Sequence, residues 1–414
     1  MLRVVCLIGF LFSALSAHAE ESHGFRGPGA QGASTEQGLP TSWSAEENVA
    51  WKTKIPGYGA SSPITLGERI YLTCYSGVQS GNRGTSVGSD LMRHVVCLDR
   101  ANGKLIWQTP VEPKLPESST VKDHGYAAAT PATDGKNIYV FFGKTGVLAF
   151  DLDGKQLWQA DVGPATHKWG CGTSPVLYQN LVIVNASVES GSLVAIDKTS
   201  GNEVWRARGM RSSWNTPHLV ETADGKHELV VSIKGSILAY DPATGEKLWN
   251  CQGIPDYVCP SIVSQDGIVY AIGGRKSKAI AVRTGGRGDV SESHKIWEAG
   301  AGANVSSPVI HDGHLYWVSD RNKVAYCLEL KTGDIVYQKR FPAQPYASVL
   351  AADGRLYVVS RFSGTYVLAA KPEFEQPAHN VLDDESVFLA SPVVSQGQLL
   401  LRSNEYLYCI GNAR

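Results

Sequence analysis

The chain has 414 residues, of which 43% are hydrophobic and 19% are charged, so it has ample apolar material for a large buried core. The formal net charge of −1 excludes a global attraction to nucleic acid or to an anionic membrane, and any charged binding surface must be local. A chain of this length could hold two or three domains, but an internal repeat overrides that expectation.

The first residues are typical of a secretory signal peptide. An apolar run from Val4 to Leu15 follows Arg3 and leads to Ala17-His18-Ala19, a small-x-small cleavage signal. The run is too short to span a bilayer comfortably. We therefore predict that residues 1–19 are a signal peptide cleaved after Ala19, and that the protein is exported to the periplasm or the extracellular space.

Residues 20–47 are assigned to an N-terminal arm, and residues 48–52 follow it as a short strand. That strand contains Trp51 and has the pattern of a closing strand, although no repeat precedes it. Export also permits disulfides, and Cys251 and Cys259 flank one connecting loop where they could pair.

One pattern then recurs along the chain. It opens with a Ser/Thr-Pro or similar pair and a Gly turn, and continues with two alternating strands, a Thr-Gly-type turn and a strand that ends in Trp. The copy that opens at Thr130-Pro131 shows the pattern whole, with strands at 138–142 and 147–151 and a last strand that ends at Trp158. Each run is short, rich in β-forming residues and bounded by turn residues.

The copies recur at a period of roughly 40–45 residues, which is typical of propeller blades. The opening pairs are Ser62-Pro63, Thr130-Pro131, Ser174-Pro175, Thr216-Pro217, Cys259-Pro260, Ser307-Pro308, Ala347-Ser348 and Ser391-Pro392. The closing tryptophans are Trp107, Trp158, Trp205, Trp249 and Trp297, with Tyr337 in the sixth copy. Because these tryptophans recur at one repeat position, we expect them to pack in the core.

The eighth copy is cut short, since it reaches 408–410 on its third strand and the chain ends at Arg414. The strand at 48–52 supplies the missing fourth strand and closes the ring, which leaves no exposed sheet edge between the first and last blades. The sequence therefore predicts an all-β fold: an eight-bladed β-propeller of four-stranded antiparallel blades over residues 48–414, with the last blade closed by an N-terminal strand.

Three segments carry a family resemblance: 149–158, 195–205 and 239–249, each of which runs from Ala-x-Asp to Gly-x-x-x-Trp. They resemble the pyrroloquinoline quinone (PQQ) repeat, and the resemblance covers nearly all of the mature chain. Quinoprotein dehydrogenases share this repeat with non-catalytic propellers such as the outer-membrane assembly lipoprotein BamB. Phe25-Arg26-Gly27-Pro28-Gly29, with Leu39-Pro40 and Trp43-Ser44, is similar to the start of uncharacterised exported propellers of this group.

The resemblance to the dehydrogenases implies a cofactor stacked between a Trp and a disulfide of adjacent cysteines, with a calcium held by Glu, Asn and Asp. No two cysteines are adjacent in this chain, and the calcium ligands cannot be placed. We therefore expect no cofactor, no catalytic residue and no metal ligand. PQQ with calcium is kept as the alternative.

The repeat also predicts a two-faced ring, because outer-to-inner loops and second-to-third turns of a propeller lie on the same face. On that face the loops carry aromatic residues and the turns carry cations, with His124 and Tyr346 nearby. The candidate binding residues are Tyr58, Tyr126, Trp169, Trp214, Tyr257, Lys144, Lys234, Arg275, Arg321, Arg361 and Arg402. Aromatic faces stack on ligands, and cations pair with carboxylates or phosphates. The alternative is that these cations are ordinary solvated charges and the aromatics pack loop to loop.

The leading hypothesis for function is an exported, non-catalytic binding or scaffolding propeller of the bacterial cell envelope. Its partner would be a protein, or a small anionic or carbohydrate ligand, and not nucleic acid, and we expect a monomer. The alternatives are a PQQ-dependent oxidoreductase and a carbohydrate-binding propeller.

Overall fold

The computed structural model describes residues 20–78, 90–117 and 124–412, and the predicted signal peptide lies outside these ranges. Strands in the described ranges form eight sheets, each with four antiparallel strands, and in seven of them the strands follow chain order from the axis outward. Two sheets gain a fifth, parallel strand. The sheets are the blades of an eight-bladed propeller, so the predicted fold class is confirmed.

The first four blades share the order inner, second, third and outer strand. Blade 1 consists of Ile64–Leu66, Arg69–Ser76, Met92–Asp99 and Leu105–Val111. Blade 2 consists of Ala132–Thr133, Asn137–Phe141, Val147–Asp151 and Gln156–Ala160. Blade 3 consists of Val176–Tyr178, Leu181–Ala186, Ser192–Asp197 and Glu203–Arg208. Blade 4 consists of His218–Glu221, His227–Ile233, Ser236–Tyr240 and Lys247–Gln252, with Gly288–Asp289 added in parallel at its outer edge.

The last four blades follow the same order. Blade 5 consists of Val263–Gln265, Ile268–Gly273, Lys278–Arg283 and Lys295–Ala299. Blade 6 consists of Val309–His311, His314–Ser319, Val324–Glu329 and Ile335–Arg340. Blade 7 consists of Leu350–Ala352, Arg355–Val359, Thr365–Ala369 and Ala378–Asn380, and Ala33–Ser34 pairs in parallel with its inner strand. Blade 8 consists of Val393–Ser395, Gln398–Arg402 and Tyr406–Ile410, with Val49–Lys54 outermost. Outside the strands, short 3₁₀ helices lie at Pro28–Ala30 and Gly143–Thr145.

The N-terminal strand closes the ring as predicted. Val49–Lys54 runs antiparallel to Tyr406–Ile410, with Val49 opposite Ile410 and Lys52 opposite Tyr408. The first strand of the propeller is therefore the outer strand of its last blade, and the two ends of the ring are joined by backbone hydrogen bonds.

Five outer-strand tryptophans connect their blade to the next. The Trp107 indole Nε1 donates to the carbonyl oxygen of Leu152 in blade 2 at 3.0 Å. Its ring lies so close to Gly154 that a Cβ there would stand 2.7 Å from the ring, which explains the Gly of the repeat turn. Trp51 makes the same contact from blade 8 to blade 1, where its Nε1 donates to the carbonyl oxygen of Arg100 at 3.3 Å. The predicted structural role of these tryptophans follows from this geometry.

A ring of hydroxyl groups surrounds the axis where each inner strand begins. We call it the hydroxyl belt, and its members are Ser62, Thr130, Ser174, Thr216, Ser261, Ser307, Ser348 and Ser391. Seven belt residues donate their backbone N–H to the hydroxyl oxygen of the next belt residue, at 3.0 to 3.1 Å. The Ser62 hydroxyl closes the circle by donating to the carbonyl oxygen of Ser391 at 3.0 Å.

The belt corrects two predicted opening pairs. In blade 7 the belt residue is Ser348, the second member of the predicted pair Ala347-Ser348, so that pair lies one residue early. In blade 5 the belt position is Ser261, two residues after Cys259, so Cys259-Pro260 is not the equivalent of Ser62-Pro63. The hydroxyl defines the position because it accepts the hydrogen bond from the preceding blade. The proline that usually follows it is replaced by isoleucine in this blade.

The N-terminal arm crosses the axis below the belt. The Ser22 carbonyl oxygen accepts from Thr65 N–H and the His23 carbonyl oxygen accepts from Thr133 N–H, each at 2.9 Å. Further along, Gln31 hydrogen-bonds Ser264 in blade 5. These contacts lie at or near the far ends of inner strands that begin at the belt, so the arm closes the channel on one side.

Candidate functional site

A cavity of about 390 Å³ opens on the face that carries the outer-to-inner loops and the second-to-third turns. We call it the funnel. Its mouth, shaft and floor are formed by different parts of the repeat. The mouth includes His124, Trp169, Trp214, Tyr257, Asn304, Asp320, Gln344, Tyr346 and Arg361; the shaft includes Ser62, Ser261, Ser307, Ser348 and Ser391; and Phe25 of the arm lies at the floor. Because the arm lies below, the funnel is a blind cavity.

An aromatic cluster forms one side of the mouth. Trp169, Trp214 and Tyr257 lie on three successive outer-to-inner loops, and all three are partly exposed. The Trp169 ring centroid is 4.7 Å from that of Tyr257 and 5.1 Å from that of Trp214. The Trp214 indole Nε1 donates to the carbonyl oxygen of Gly170 at 2.9 Å, which fixes the second ring. The cluster therefore presents a preformed aromatic surface to the cavity.

A cation lies on another part of the rim. The Arg361 guanidinium carbon lies 5.5 Å from the Tyr346 ring centroid and 5.3 Å from that of Phe362, so it stacks on both rings. Phe362 is 66% exposed, which leaves an apolar ring at the rim. His124 Nδ1 lies 3.2 Å from the Tyr346 hydroxyl and links the long loop after blade 1 to the rim.

A buried carboxyl group holds the loop between these two sides. Asp320 Oδ1 accepts backbone N–H hydrogen bonds from Asn304 at 2.8 Å and Val305 at 3.1 Å. Burial raises the pKa of Asp320, against the effect of these hydrogen bonds. The Tyr257 hydroxyl donates to Asn304 Oδ1, so the acid orients the aromatic cluster through one loop residue.

Of the predicted binding residues, the structure brings Trp169, Trp214, Tyr257 and Arg361 together at the cavity. Arg275 lies outside it, ion-paired to Asp256 at 3.1 Å. Two further predicted cations, Lys234 and Arg321, are exposed and do not line it.

Four other predicted residues have structural contacts, which corrects the prediction of an exposed binding set. Lys144 is buried, and its Nζ donates to the carbonyl oxygen of Pro116. Arg402 is buried and its Nη1 donates to the carbonyl oxygen of Ser61 at 2.7 Å. Tyr58 and Tyr126 pack on either side of Tyr75, with ring centroids 6.1 and 5.3 Å from it. The loop-packing alternative describes Tyr58 and Tyr126, whereas Lys144 and Arg402 are buried and are not the solvated charges of that alternative. Ligand binding by any of the four stays a prediction.

Sequence reasoning missed Asn304, Asp320, Gln344 and Phe25 as parts of the site. Asp320 directly follows a strand and resembles any acid at such a position, while Phe25 precedes all the repeats in the sequence. Nothing in the repeat pattern indicates that the arm passes under the axis.

A second polar cluster lies beside the funnel. Arg93 Nη2 pairs with Glu117 Oε1 at 2.5 Å, and both side chains are buried. Glu189 is buried nearby, and burial raises the pKa of Glu189 to about 8. The cavity there is about 30 Å³, which is room for one water molecule. This cluster anchors the loop that carries His124 and offers no space for a larger ligand.

The residues present do not fit a quinone site of the dehydrogenase kind. The seven described cysteines, including Cys251 and Cys259, are all free thiols, and none adjoins another. Within the described ranges, no group of three or more His, Cys, Asp and Glu side chains could hold a metal ion. Asp320 is the one carboxylate among the described residues that line the funnel. We therefore derive no quinone chemistry here, and the expectation of no cofactor stays a prediction.

The fold and the funnel define a propeller of PQQ-like repeats with a preformed cavity on one face. A sequence profile of the family described as outer membrane protein assembly factor BamB matches residues 41–217, 143–288 and 278–373. The chain belongs to this family. In its described part, no helix combines the length and apolar character that a membrane span requires.

Two relatives and two solved structures illustrate the similarity. The chain is 24% identical to outer membrane protein assembly factor BamB of Yersinia pestis over 80% of this chain and 82% of that protein. It is 25% identical to the BamB of Shewanella oneidensis over 37% of this chain and 40% of that protein. The crystal structure of BamB from Moraxella catarrhalis aligns with a TM-score of 0.61 at 13% identity, covering 86% of this chain and 97% of that one. Quinohemoprotein alcohol dehydrogenase from Comamonas testosteroni aligns with a TM-score of 0.63 at 11% identity, covering 95% and 81%, and at these identities the two structures show the fold alone.

Proposed function

We propose that this protein is an exported, non-catalytic binding or scaffolding propeller of the bacterial cell envelope, and that it holds a protein partner at the funnel. Membership of the BamB family supports a scaffold role. The signal-peptide pattern of residues 1–19 supports export.

The aromatic cluster at the mouth is the observation that carries the proposal. The tryptophans that join the blades form a separate set, on the outer strands, where their indoles bond to the next blade. Trp169 and Trp214 lie on loops, remain partly exposed and face a cavity. Aromatic side chains in such positions supply contact area at low entropic cost and are enriched among residues that dominate binding energy.

The charges at the mouth indicate the kind of segment that fits. Arg361 stands on the rim of the cavity, and Lys168, Arg211, Lys234 and Arg321 are exposed on loops and turns of the same face. Cations in this arrangement favour approach of an acidic partner and pair with its carboxylates. We therefore propose a partner segment that combines an apolar or aromatic side chain with an acidic residue.

The proposal is tested by site-specific crosslinking in the intact envelope. A photoreactive residue is placed at Gln344, which is exposed and lines the mouth, and in a matched control at Leu157, which is 46% exposed on an outer strand. We expect a discrete protein adduct from position 344 that is lost when Trp169 and Trp214 are both replaced by alanine. The same adducts from both positions, or adducts that survive the double replacement, would contradict the proposal.

A further inference from the structure

The shaft of the funnel has an unusual surplus of hydrogen-bond donors. Ser261, Ser307, Ser348 and Ser391 lie on four successive blades, line the cavity and are each more than nine-tenths buried. Their hydroxyl oxygens accept backbone N–H groups from the preceding blade at 3.0 to 3.1 Å. A serine hydroxyl also carries one proton to donate. Across residues 20–78, 90–117 and 124–412, none of these four hydroxyls donates to a protein acceptor.

The arm adds positive charge below this arc of hydroxyls. Arg26 is only 5% exposed, and its Nη2 donates to the carbonyl oxygen of Pro308, the residue that follows belt residue Ser307. Its Nε and Nη1 have no hydrogen-bond partner among the described residues. Burial lowers the pKa of Arg26 to about 9, so the guanidinium stays protonated at neutral pH. A buried charge without a counter-ion is costly, and an anion near it would lower that cost.

A second buried arginine lies at another point of the belt, at the end of a strand of blade 8. Arg402 donates to the carbonyl oxygen of Ser61, the residue before belt residue Ser62, and its Nε and Nη2 have no partner in the described part of the chain. His218 adds no charge, because burial lowers the pKa of His218 to about 4. The one lining carboxylate, Asp320, is already engaged by two backbone N–H groups. The polar surface of the shaft is therefore donor-rich. The two buried arginines lie behind the belt and do not themselves line the cavity.

We infer that the shaft is an oxyanion site, in which the hydroxyls of Ser261, Ser307, Ser348 and Ser391 donate to a carboxylate, phosphate or sulfate group at the axis. Arg26 and Arg402 supply the compensating charge from below and beside it. This inference rests on the proposed function, since it names the chemical group that a bound partner or ligand inserts into the same funnel. A carboxylate would come from an acidic side chain or a chain terminus, and a phosphate or sulfate from a small ligand.

The site is tested with simple anions on the mature chain, residues 20–414. Thermal unfolding and titration calorimetry are run in sodium chloride at constant ionic strength, with acetate, succinate, phosphate or sulfate exchanged for chloride. We expect saturable binding with a rise in the melting temperature. Stronger binding of acetate or succinate identifies a carboxylate site, and stronger binding of phosphate or sulfate identifies a phosphate or sulfate site.

Variants locate the binding. Ser348→Ala and Arg26→Met should each raise the dissociation constant of the anion at least tenfold. The matched controls Ser306→Ala, a buried hydroxyl beside the belt, and Arg206→Met, an arginine of blade 3 that pairs with Glu203 and does not line the funnel, should leave it unchanged. Ser348→Ala also removes the acceptor for the Ser307 N–H, so we expect this variant to be less stable than the unmodified protein. Ser348→Thr keeps a hydroxyl and should therefore bind the anion as the unmodified protein does.

Two results would overturn the inference: no saturable binding of any of the four anions, or an equal loss of binding in the control variants. Either result is separate from the crosslinking experiment. Anion binding without a partner adduct at position 344 would refute the proposed partner and leave the oxyanion site. A partner adduct without anion binding would refute the oxyanion site and leave the proposed partner.

Discussion

Replacing Trp51 by alanine tests how the ring is held closed. Trp51 lies on the N-terminal strand of blade 8, is 9% exposed and packs with Ile70, Leu98 and Leu407 in the core between blades 8 and 1. Its indole also donates to the carbonyl oxygen of Arg100, and its ring covers Gly103 in the turn between the third and outer strands of blade 1. The variant removes the largest side chain among the contacts that join the last blade to the first, and leaves the hydrogen bonds from Arg100 to Ser395 in place.

The expected cost is large. Truncation of a buried tryptophan to alanine typically costs about 3–5 kcal/mol, and the lost indole hydrogen bond adds about 1 kcal/mol. Trp169→Ala is the matched control, because its ring is partly exposed and its removal leaves no closed cavity in the core. We expect it to cost about 1 kcal/mol or less, which is usual away from buried features.

The assay is urea unfolding of the mature chain, followed by far-ultraviolet circular dichroism and checked against thermal unfolding. Trp51→Ala should shift the midpoint well below that of Trp169→Ala. If Trp51→Ala unfolds at the same urea concentration as the unmodified protein, the closure contact does not contribute as argued. If Trp169→Ala is equally destabilising, Trp169 is a packing residue and the aromatic binding surface is refuted.

Three further outcomes are expected. The double variant Trp169→Ala and Trp214→Ala should keep most of the thermal stability but lose capture of the envelope partner, measured by crosslinking from position 344; loss of folding would return both residues to a packing role. Protein mixed with PQQ and calcium should show no quinone-dependent dye reduction with simple alcohols or aldoses, and robust reduction that needs both additives would establish the oxidoreductase alternative. Glu189 has a folded-state pKa of about 8, above its ordinary value, so its contribution to stability is present at low pH and is lost as the pH rises through about 8. Glu189→Gln should therefore reduce the dependence of the free energy of unfolding on pH between about pH 5 and 9. A pH dependence unchanged by the substitution would show that the pKa of Glu189 is not raised in the folded protein.

The repeat pattern was sufficient to predict the propeller because the residues that define a blade lie close together in the sequence. A Gly turn, alternating strands and a closing tryptophan are all visible locally, and the Trp107 contact with Gly154 shows why these two residue types recur together. The incomplete last copy and the orphan strand that contains Trp51 predicted the ring closure. In blade 5 the Pro shifts relative to the hydroxyl, so the same reasoning placed the pair two residues early.

The candidate site was predicted less completely, because side-chain direction decides it. Lys144 and Arg402 occupy turn positions like that of Arg361, yet they turn inward to bind carbonyl groups while Arg361 stays on the rim. The repeat assigns a residue to a face but does not set whether its side chain points to solvent. Phe25 and Arg26 contribute through the arm, whose path under the axis depends on long-range contacts such as those with Pro308.

The arm beneath the belt gives the propeller the topology of a cup rather than a tube. A polypeptide segment that enters the funnel must withdraw through the opening by which it came, so the protein cannot thread a chain from one face to the other. Under the proposed function, two partner segments that need the same mouth would exclude each other, so one would have to leave before the next could bind. The exchange rate at the mouth, and not passage along the axis, would then limit how quickly partners replace one another.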